Sequence, residues 1–228
     1  MNFFILSLFP QIFDPVTSFS ILKRAKDKKV IKIIPINIRD FAKDKHKITD
    51  LPPYGGGAGM ILKPEPIFSA VEYVINKYKL EKDSLEIILL SASGKPFTQE
   101  RALSLSFLKN IILICGHYEG VDERVAKYLT TQELSIGNYI VSGGEYPALI
   151  LVDAISRLIP NVLENKESLK TESFQNGVVE YPQYTRPEVY NRKKVPSILL
   201  SGNHEEIEKW RIKESKRKTN YSCDTTSL

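Results

Sequence analysis

The chain has 228 residues, 42% of them hydrophobic, 26% charged and with a net charge of +5, which excludes a disordered or fibrous protein and allows a full buried core. Its two cysteines, Cys115 and Cys223, lie far apart, which excludes a disulfide framework and a cysteine-based metal motif. No apolar run approaches the roughly eighteen residues that a membrane span requires, so we expect a cytoplasmic protein that does not enter the membrane.

Apolar runs typical of strands alternate along the chain with patterns typical of helices. The pattern predicts strands at 2–8, 30–36, 85–90 and 111–115, and helices at 65–78, 98–108 and 121–129. Residues 87–90 and 111–114 are continuously apolar, as in strands buried on both faces of a parallel sheet. This order predicts an α/β fold.

Two domains and a linker are predicted. From Glu145 to Ile159 the apolar residues recur three or four positions apart, which predicts a helix. Further on, Asn203 followed by Glu206 is a helix-start pattern, and a basic helix follows through Trp210. We therefore predict an α/β domain at 1–159, a linker at 160–171, where the helical period is lost, and a small, mainly helical domain at 172–228.

Glycine marks a candidate site. Ten of the twelve glycines lie between residues 55 and 144, all in predicted loops. Glycine lets a ligand approach the backbone closely, and open α/β sheets bind ligands in the loops at their strand ends. The run 55–59 contains G-x-G-x-G, but it follows Pro52-Pro53-Tyr54 rather than a strand, which disfavours a Rossmann-type nucleotide site.

Positive charge is concentrated in two segments. Residues 23–47 hold ten Lys or Arg and three Asp, a net +7, and residues 209–218 hold six Lys or Arg and one Glu, a net +5. Two basic segments on an otherwise acidic chain indicate a surface for a polyanion such as nucleic acid. Solvated lysine-rich faces are the alternative, and charge alone does not decide between the two.

Five separated motifs occur in the order found in one known family. They are PYGGGAGM (53–60), CGHYEGVDER (115–124), SIGNYIVSGGE (135–145), YTRPEVY (184–190) and LSGNH (200–204). Together they resemble the bacterial tRNA (guanine-N1) methyltransferase family, over nearly the whole chain. The resemblance implies a SPOUT-type fold, which is a parallel sheet with a deep C-terminal trefoil knot, and a homodimer with active sites at the subunit interface.

The resemblance also implies S-adenosyl-L-methionine as the methyl donor, held by three loops. The cofactor-binding residues that it carries over are Leu90, Ser91, Gly94, Gly116, His117, Tyr118, Glu119, Ser135, Ile136, Gly137, Asn138, Tyr139, Ile140, Val141, Gly143, Gly144 and Pro147. The first loop reads Ser91-Ala92-Ser93-Gly94 where the family has Ser-Pro-Gln-Gly. This departure removes a rigid proline and an amide contact, which puts the affinity for the cofactor in question.

Methylation of guanine N1 requires a base for the N1 proton and positive charge near O6. By resemblance, Glu172 is the base, in Glu172-Ser173-Phe174 where the family has Asp-Ser-Phe, and Arg157 is the catalytic arginine, which we assign to O6. An ion pair on the helix surface is the alternative for Arg157. Relatives are described as needing Mg²⁺, but no ligand cluster in the sequence marks a metal site, so metal dependence stays open.

The implied partner is tRNA, bound at its anticodon stem-loop and methylated on the guanosine immediately 3′ of the anticodon. The candidate RNA contacts are Asp50, Gly55, Gly57, Arg186, Ser201, His204, Lys209 and Lys213. The basic run 209–218 is expected to contact phosphates, which fixes register but carries little sequence information. Trp210 is assigned to packing of its helix rather than to base stacking.

Two other functions stay open. A related knotted methyltransferase that acts on another RNA position, such as a ribose hydroxyl, would not need a carboxylate at residue 172. A non-catalytic dimeric RNA-binding protein would have lost its methyl donor, and the altered loop at 91–94 is the one feature that points to it. Methylation by a Glu172→Gln variant tests the first function, and cofactor binding tests the second.

Overall fold

The computed structural model describes residues 1–163, 173–174 and 178–224, with side chains described to Thr219. The chain forms two compact units, Met1–Glu164 and Asn165–Leu228. Glu172, the predicted base, lies outside the described residues. None of the described helices is long and apolar enough to span a membrane.

The first unit is built on a parallel sheet. Its strands are β1 (Asn2–Ser7), β2 (Lys32–Asn37), β3 (Asp50–Leu51), β4 (Ile61–Leu62), β5 (Leu85–Pro96), β6 (Asn110–Cys115) and β7 (Gln132–Ser135). Within the described residues, five of them form one sheet in the order β2-β1-β6-β5-β7, with every pairing parallel, while β3 and β4 form a short antiparallel hairpin. The predicted α/β class with a central parallel sheet is confirmed.

Helices cover both faces of this sheet. They are α1 (Phe13–Thr17), α2 (Ser20–Asp27), α3 (Pro64–Tyr78), α4 (Gln99–Ser106), α5 (Glu123–Tyr128) and α6 (Glu145–Leu158). Because side chains alternate along a strand, Phe3 and Leu113 pack in one buried cluster with residues of α2, α4 and α6. Phe4 and Ile112 pack in the other, with residues of α3 and α5. The continuous apolar runs are therefore explained by two covered faces.

The parallel strands bring three loops to one edge of the sheet. Strands β5, β6 and β7 are neighbours or next neighbours and run in the same direction, so their carboxyl ends lie together. The chain leaves regular β5 pairing after Leu90, where the register with β7 shifts until Lys95. The loops 91–94, 116–122 and 136–144 therefore converge, as predicted for a site built from several loops.

The second unit contains a hairpin and a long helix. Strand β8 (Val189–Tyr190) pairs antiparallel with β9 (Lys193–Lys194), and α7 spans His204–Asp224. The predicted helix start is confirmed, because the Asn203 side-chain oxygen accepts a hydrogen bond from the Glu206 N–H at 3.3 Å. The Trp210 ring lies 6.4 Å from the Tyr184 ring between centroids, which supports its assignment to packing.

Some elements were not predicted from the sequence. Among the described residues, strand β7 (Gln132–Ser135) pairs only with β5. Its first two residues are polar because they are only partly buried in this outermost strand. Helix α2 buries Leu22 and Ala25 among its cations, and these two residues are too few to produce a clear helical period. The hairpins β3–β4 and β8–β9 have two residues a strand, which is too short for an alternating pattern.

Candidate functional site

A cavity of about 580 Å³ lies where the three loops converge. Its walls come from the end of β5 with Ser91–Ser93, from the loop that follows β6, from the segment between β7 and α6, and from the first turns of α5 and α6. A volume of this size lies within the roughly 300–1,000 Å³ that is usual for small-molecule sites.

Most of the predicted cofactor residues line this cavity. Of the seventeen, the fifteen that line it are Leu90, Ser91, Gly116, His117, Tyr118, Glu119, Ser135, Ile136, Gly137, Tyr139, Ile140, Val141, Gly143, Gly144 and Pro147. Gly94 and Asn138 lie outside the lining. Ala92, Ser93 and Ser142, which lie inside the predicted cofactor loops, line it as well. The lining residues that sequence reasoning missed are Leu89, Gly120, Val121, Glu123, Ala126, Glu133 and Leu134. Glu123 lies in the motif CGHYEGVDER (115–124), and its place in that motif could have identified it as a site residue.

Glycines let the cavity loops pass one another without side chains between them. A Cβ on Gly144 would lie 2.6 Å from the Cα of Cys115, and a Cβ on Gly94 would lie 2.6 Å from the backbone nitrogen of Leu134. A Cβ on Gly143 would lie 2.6 Å from Cδ2 of His117. At these positions a larger residue forces backbone or ring atoms to move.

Backbone hydrogen bonds join the loops. The N–H of Gly144 donates to the carbonyl of Gly116 at 2.8 Å, and the N–H of Phe97 donates to the carbonyl of Ser135 at 2.8 Å. His117 and Gly143 form an isolated antiparallel bridge. The second and third loops are therefore one hydrogen-bonded unit.

A buried polar contact fixes the start of α6. The Ser7 hydroxyl donates to Oε1 of Glu145 at 2.7 Å and accepts a hydrogen bond from the N–H of Phe9 at 2.8 Å. Both Ser7 and Glu145 are buried. Because Glu145 is in the first turn of α6, its carboxylate also interacts favourably with the positive end of the helix dipole. This contact ties the end of β1 to the helix that borders the cavity.

Cys115 is held as a neutral thiol beside the cavity. Burial raises the pKa of this thiol well above its ordinary value, and the nearby carboxylate of Glu145 raises it further. A thiol in such surroundings is a poor nucleophile, because the reactive form is the thiolate. We therefore assign Cys115 to packing.

The glycine-rich loop 53–60 is attached to the second cavity loop. The N–H of Glu119 donates to the carbonyl of Met60 at 3.1 Å, and the N–H of Leu62 donates to the carbonyl of Gly120 at 3.0 Å. Gly55 and Gly57 have positive φ, at 86° and 130°, and are exposed. The structure thus anchors the loop that carries two of the predicted RNA contacts to a loop that lines the cavity.

Nearly the whole chain is similar in sequence to one known family of proteins. Residues 1–224 match the model of the family described as tRNA (Guanine-1)-methyltransferase TrmD. The chain belongs to this family. It is 53% identical over 215 residues to the tRNA (guanine-N(1)-)-methyltransferase of Dictyoglomus turgidum, covering 94% of this chain and 85% of the relative. It is 48% identical over 219 residues to that of Clostridioides difficile, covering 96% and 94%.

The family's motif residues are divided between the two units. Asp50 lies in β3, where its Oδ1 accepts a hydrogen bond from the Thr49 hydroxyl at 3.2 Å. Five predicted RNA contacts lie in the second unit, and all five are exposed: Arg186, Ser201, His204, Lys209 and Lys213. Ser201 donates to the carbonyl of Ile198 at 2.8 Å. Lys209 forms ion pairs with Glu205 at 2.8 Å and Glu206 at 2.9 Å. Because these side chains are exposed, breaking the pairs costs little free energy.

Arg157 does not line the cavity. It lies in the last turn of α6, and Gly144 precedes the first turn. At about 1.5 Å a residue, the helix places their backbones roughly 20 Å apart.

As for metals, the described residues contain no group of three or more His, Cys, Asp or Glu that could hold an ion.

We expect Gly144→Ala to lower the free energy of unfolding by about 1–3 kcal/mol, because the added Cβ forces the loop away from Cys115. Urea denaturation followed by circular dichroism measures the change. Ser142→Ala, at an exposed position in the same loop, is the control and should stay within about 0.5 kcal/mol of the wild type. Equal stability of Gly144→Ala and the wild type would contradict the close packing.

We expect Cys115→Ala to reduce the loss of stability at alkaline pH. The pKa of the Cys115 thiol is raised in the folded state. Its contribution to the free energy of unfolding is therefore complete below the pKa of about 8.5 that it has in the unfolded chain. As the pH rises further, that contribution is lost by up to about 1.4 kcal/mol a unit until the folded pKa is reached. Urea denaturation at about pH 7.5 and about pH 9.5 should show the larger decrease for the wild type. Parallel decreases in both proteins would show that the thiol is not the cause.

Proposed function

We propose that this protein transfers a methyl group from S-adenosyl-L-methionine to N1 of the guanosine immediately 3′ of the anticodon in cytoplasmic tRNA. The observation that carries the proposal is the cavity at the sheet edge, because the family's three cofactor loops line it. The identity of about half with relatives named tRNA (guanine-N(1)-)-methyltransferase supports the reaction type and the substrate.

The cavity fits the chemistry of this cofactor. Leu89, Leu90 and Ile136 give it apolar walls suited to an adenine ring, and Glu119 and Glu123 bring negative charge suited to a sulfonium or an ammonium group. The glycine-rich loops leave backbone groups open to polar contacts. When bound, S-adenosyl-L-methionine supplies an electrophilic methyl group. The chain has to hold and align the guanine and remove its proton.

We assign the proton transfer to Glu172 and the stabilisation of negative charge on O6 to Arg157. A carboxylate with an ordinary pKa of about 4 is a weak base for guanine N1. A guanidinium held at O6 lowers the cost of deprotonation, because negative charge develops there. The two residues therefore act together in this proposal, with alignment of N1 toward the methyl group supplying the rest of the rate.

The position of Arg157 supports a homodimer. Tyr146, Ile150, Asp153 and Arg157 are spaced four, three and four residues apart, so they share one face of α6. On this face Tyr146 is 58% and Ile150 44% exposed, and Ile140 in the preceding loop is 83% exposed. A second copy that covers this face about a twofold axis, with the two α6 helices antiparallel, would bring its Arg157 toward the first copy's cavity.

The path of the chain around the cavity supports the family's trefoil knot. From β7, which lies beyond β5 at one edge, the chain returns to Gly144 beside Cys115 at the end of β6. Helix α6 then packs in the same cluster as residues of α2 and α4. We propose that this returning segment passes through the earlier cavity loops. The second unit, with its basic helix α7, is in this proposal the tRNA-binding domain.

The proposal is tested with labelled S-adenosyl-L-methionine and two tRNA transcripts, one with guanosine just 3′ of the anticodon and one with adenosine there. Label in the guanosine transcript alone, recovered as 1-methylguanosine, is the expected result. Label in both transcripts would place the target elsewhere on the tRNA. Failure to label either transcript, together with no binding of S-adenosyl-L-methionine by calorimetry, would favour the non-catalytic RNA-binding alternative. Failure to label either with cofactor binding intact would point to a missing metal, a different RNA or a lost activity.

We expect Glu172→Gln to lower kcat by about 10²–10⁴-fold, because a base contributes a factor of that order, with the affinity for S-adenosyl-L-methionine unchanged. Glu167→Gln, the same change earlier in the predicted linker, is the control and should retain activity. Single-turnover methylation with saturating tRNA measures the rate of methylation by both variants. Full activity of Glu172→Gln would favour the alternative reaction on a ribose hydroxyl.

A further inference from the structure

The basic segment 23–47 is split between two opposite ends of the sheet. We call them the amino edge, where the parallel strands begin, and the carboxyl edge, where they end. Helix α2 precedes β2, so Lys28 and Lys32 lie at the amino ends of the strands, where Lys32 pairs in register with Asn2 of β1. Residues 38–47 follow the carboxyl end of β2, on the edge where the cavity lies. The six residues of β2 separate the two groups by roughly 17–20 Å.

The larger share of the charge lies away from the cavity. Residues 23–32 carry six Lys or Arg and one Asp, a net charge of +5. Residues 39–47 carry four Lys or Arg and two Asp, a net charge of +2. Charges that far apart are screened from each other, because the screening length is about 8 Å at physiological salt. The lysines at the amino edge therefore add little to the electrostatic potential at the cavity.

The turn 43–47 is held in a fixed shape by its own acidic residue. The carboxylate of Asp44 accepts hydrogen bonds from the N–H of Ile48 at 3.0 Å and of His46 at 3.0 Å. These bonds, that of Ile48 foremost, lower the pKa of Asp44. The other acid, Asp40, pairs with Lys47 at 3.1 Å.

Lys43 and Lys45 remain exposed on this turn. Neither forms an ion pair with any residue that the structure describes. Because both acids of the turn are engaged by other groups, these two ammonium groups are available to an external anion.

Hydrogen bonds connect the turn to the cavity. The carbonyl of Thr49 accepts from the N–H of Lys63 at 2.8 Å, and Asp50 pairs with Leu62 across the β3–β4 hairpin. The carbonyl of Leu62 in turn accepts from the N–H of Asp122 at 3.0 Å, next to the cavity residue Val121. The turn and the cavity wall are therefore parts of one hydrogen-bonded structure within the first unit.

We propose that Lys43 and Lys45 bind the phosphate backbone of the RNA substrate close to the target nucleotide, and that the lysines of the amino edge do not contact it. The inference rests on the proposed function, which puts the target base at the cavity. A lysine binds a phosphate as a point charge, so these contacts add affinity and register but no base preference.

The test compares two double variants with the same loss of charge: Lys43→Ala with Lys45→Ala, and Lys28→Ala with Lys32→Ala. All four lysines are exposed, so both variants should fold, and circular dichroism checks this. Fluorescence anisotropy with a tRNA transcript measures Kd across a salt series. We expect the first variant to raise Kd about tenfold and to reduce the slope of log Kd against log salt by about 1–2, and the second to leave both nearly unchanged.

Two further measurements separate the inference from the proposed function. Lys43→Arg with Lys45→Arg keeps the charge and should restore binding. Methylation by the wild type reports on the proposed function alone: if it binds tRNA without methylating it, that function fails, while the anisotropy comparison still decides the inference. Equal weakening by both alanine variants, no weakening by either, or absence of tRNA binding by the wild type would overturn the inference.

Discussion

The site depends on one close approach of two backbones. The N–H of Gly144 donates to the carbonyl of Gly116 at 2.8 Å, and no Cβ fits between Gly144 and Cys115. Because α6 begins at the next residue, this contact sets where that helix starts relative to β6. The loops before and after the contact then have to curve outward, and the space that they enclose is the cavity. Any side chain at Gly144 would alter the helix position and the cavity together.

A buried carboxylate, that of Glu145, also ties the end of β1 to the start of α6. Glu145 carries its charge into the interior, where an unpaired charge would cost several kcal/mol. Ser7 and the first turn of α6 offset that cost, and Ser7 is available only when β1 lies between β2 and β6 in the sheet. The contact therefore couples the first strand of the chain to a helix more than a hundred residues later. Burial, and after it the nearby carboxylate of Glu145, raises the pKa of the Cys115 thiol, so this thiol stays protonated and unreactive next to the cavity.

The sequence predicted the elements whose apolar residues recur at regular spacing. It missed the elements whose position depends on neighbouring elements. Strand β6 and helix α6 were predicted because their apolar periods are complete. Strand β7 was missed because an edge strand with one neighbour keeps polar residues such as Gln132. Most cavity-lining residues were available from motifs, whereas Ala126 was not, because it reaches the cavity only through the packing of α5. The separation of Arg157 from the cavity does not follow from motif order, but the predicted helix from Glu145 to Ile159 already contained it, because it follows from the length of α6.

Chain direction, rather than closeness in sequence, decides which charges can act at the site. Lys32 and Lys43 belong to one basic segment, yet β2 carries the chain from one edge of the sheet to the other between them. The same reasoning applies to α6, which starts at the cavity and ends with Arg157 roughly 20 Å away. A single copy thus places a cofactor-sized cavity and the proposed catalytic arginine at opposite ends of one helix. A twofold-related copy with the reverse direction is the simplest arrangement that unites them, so the proposed reaction and the proposed homodimer depend on each other.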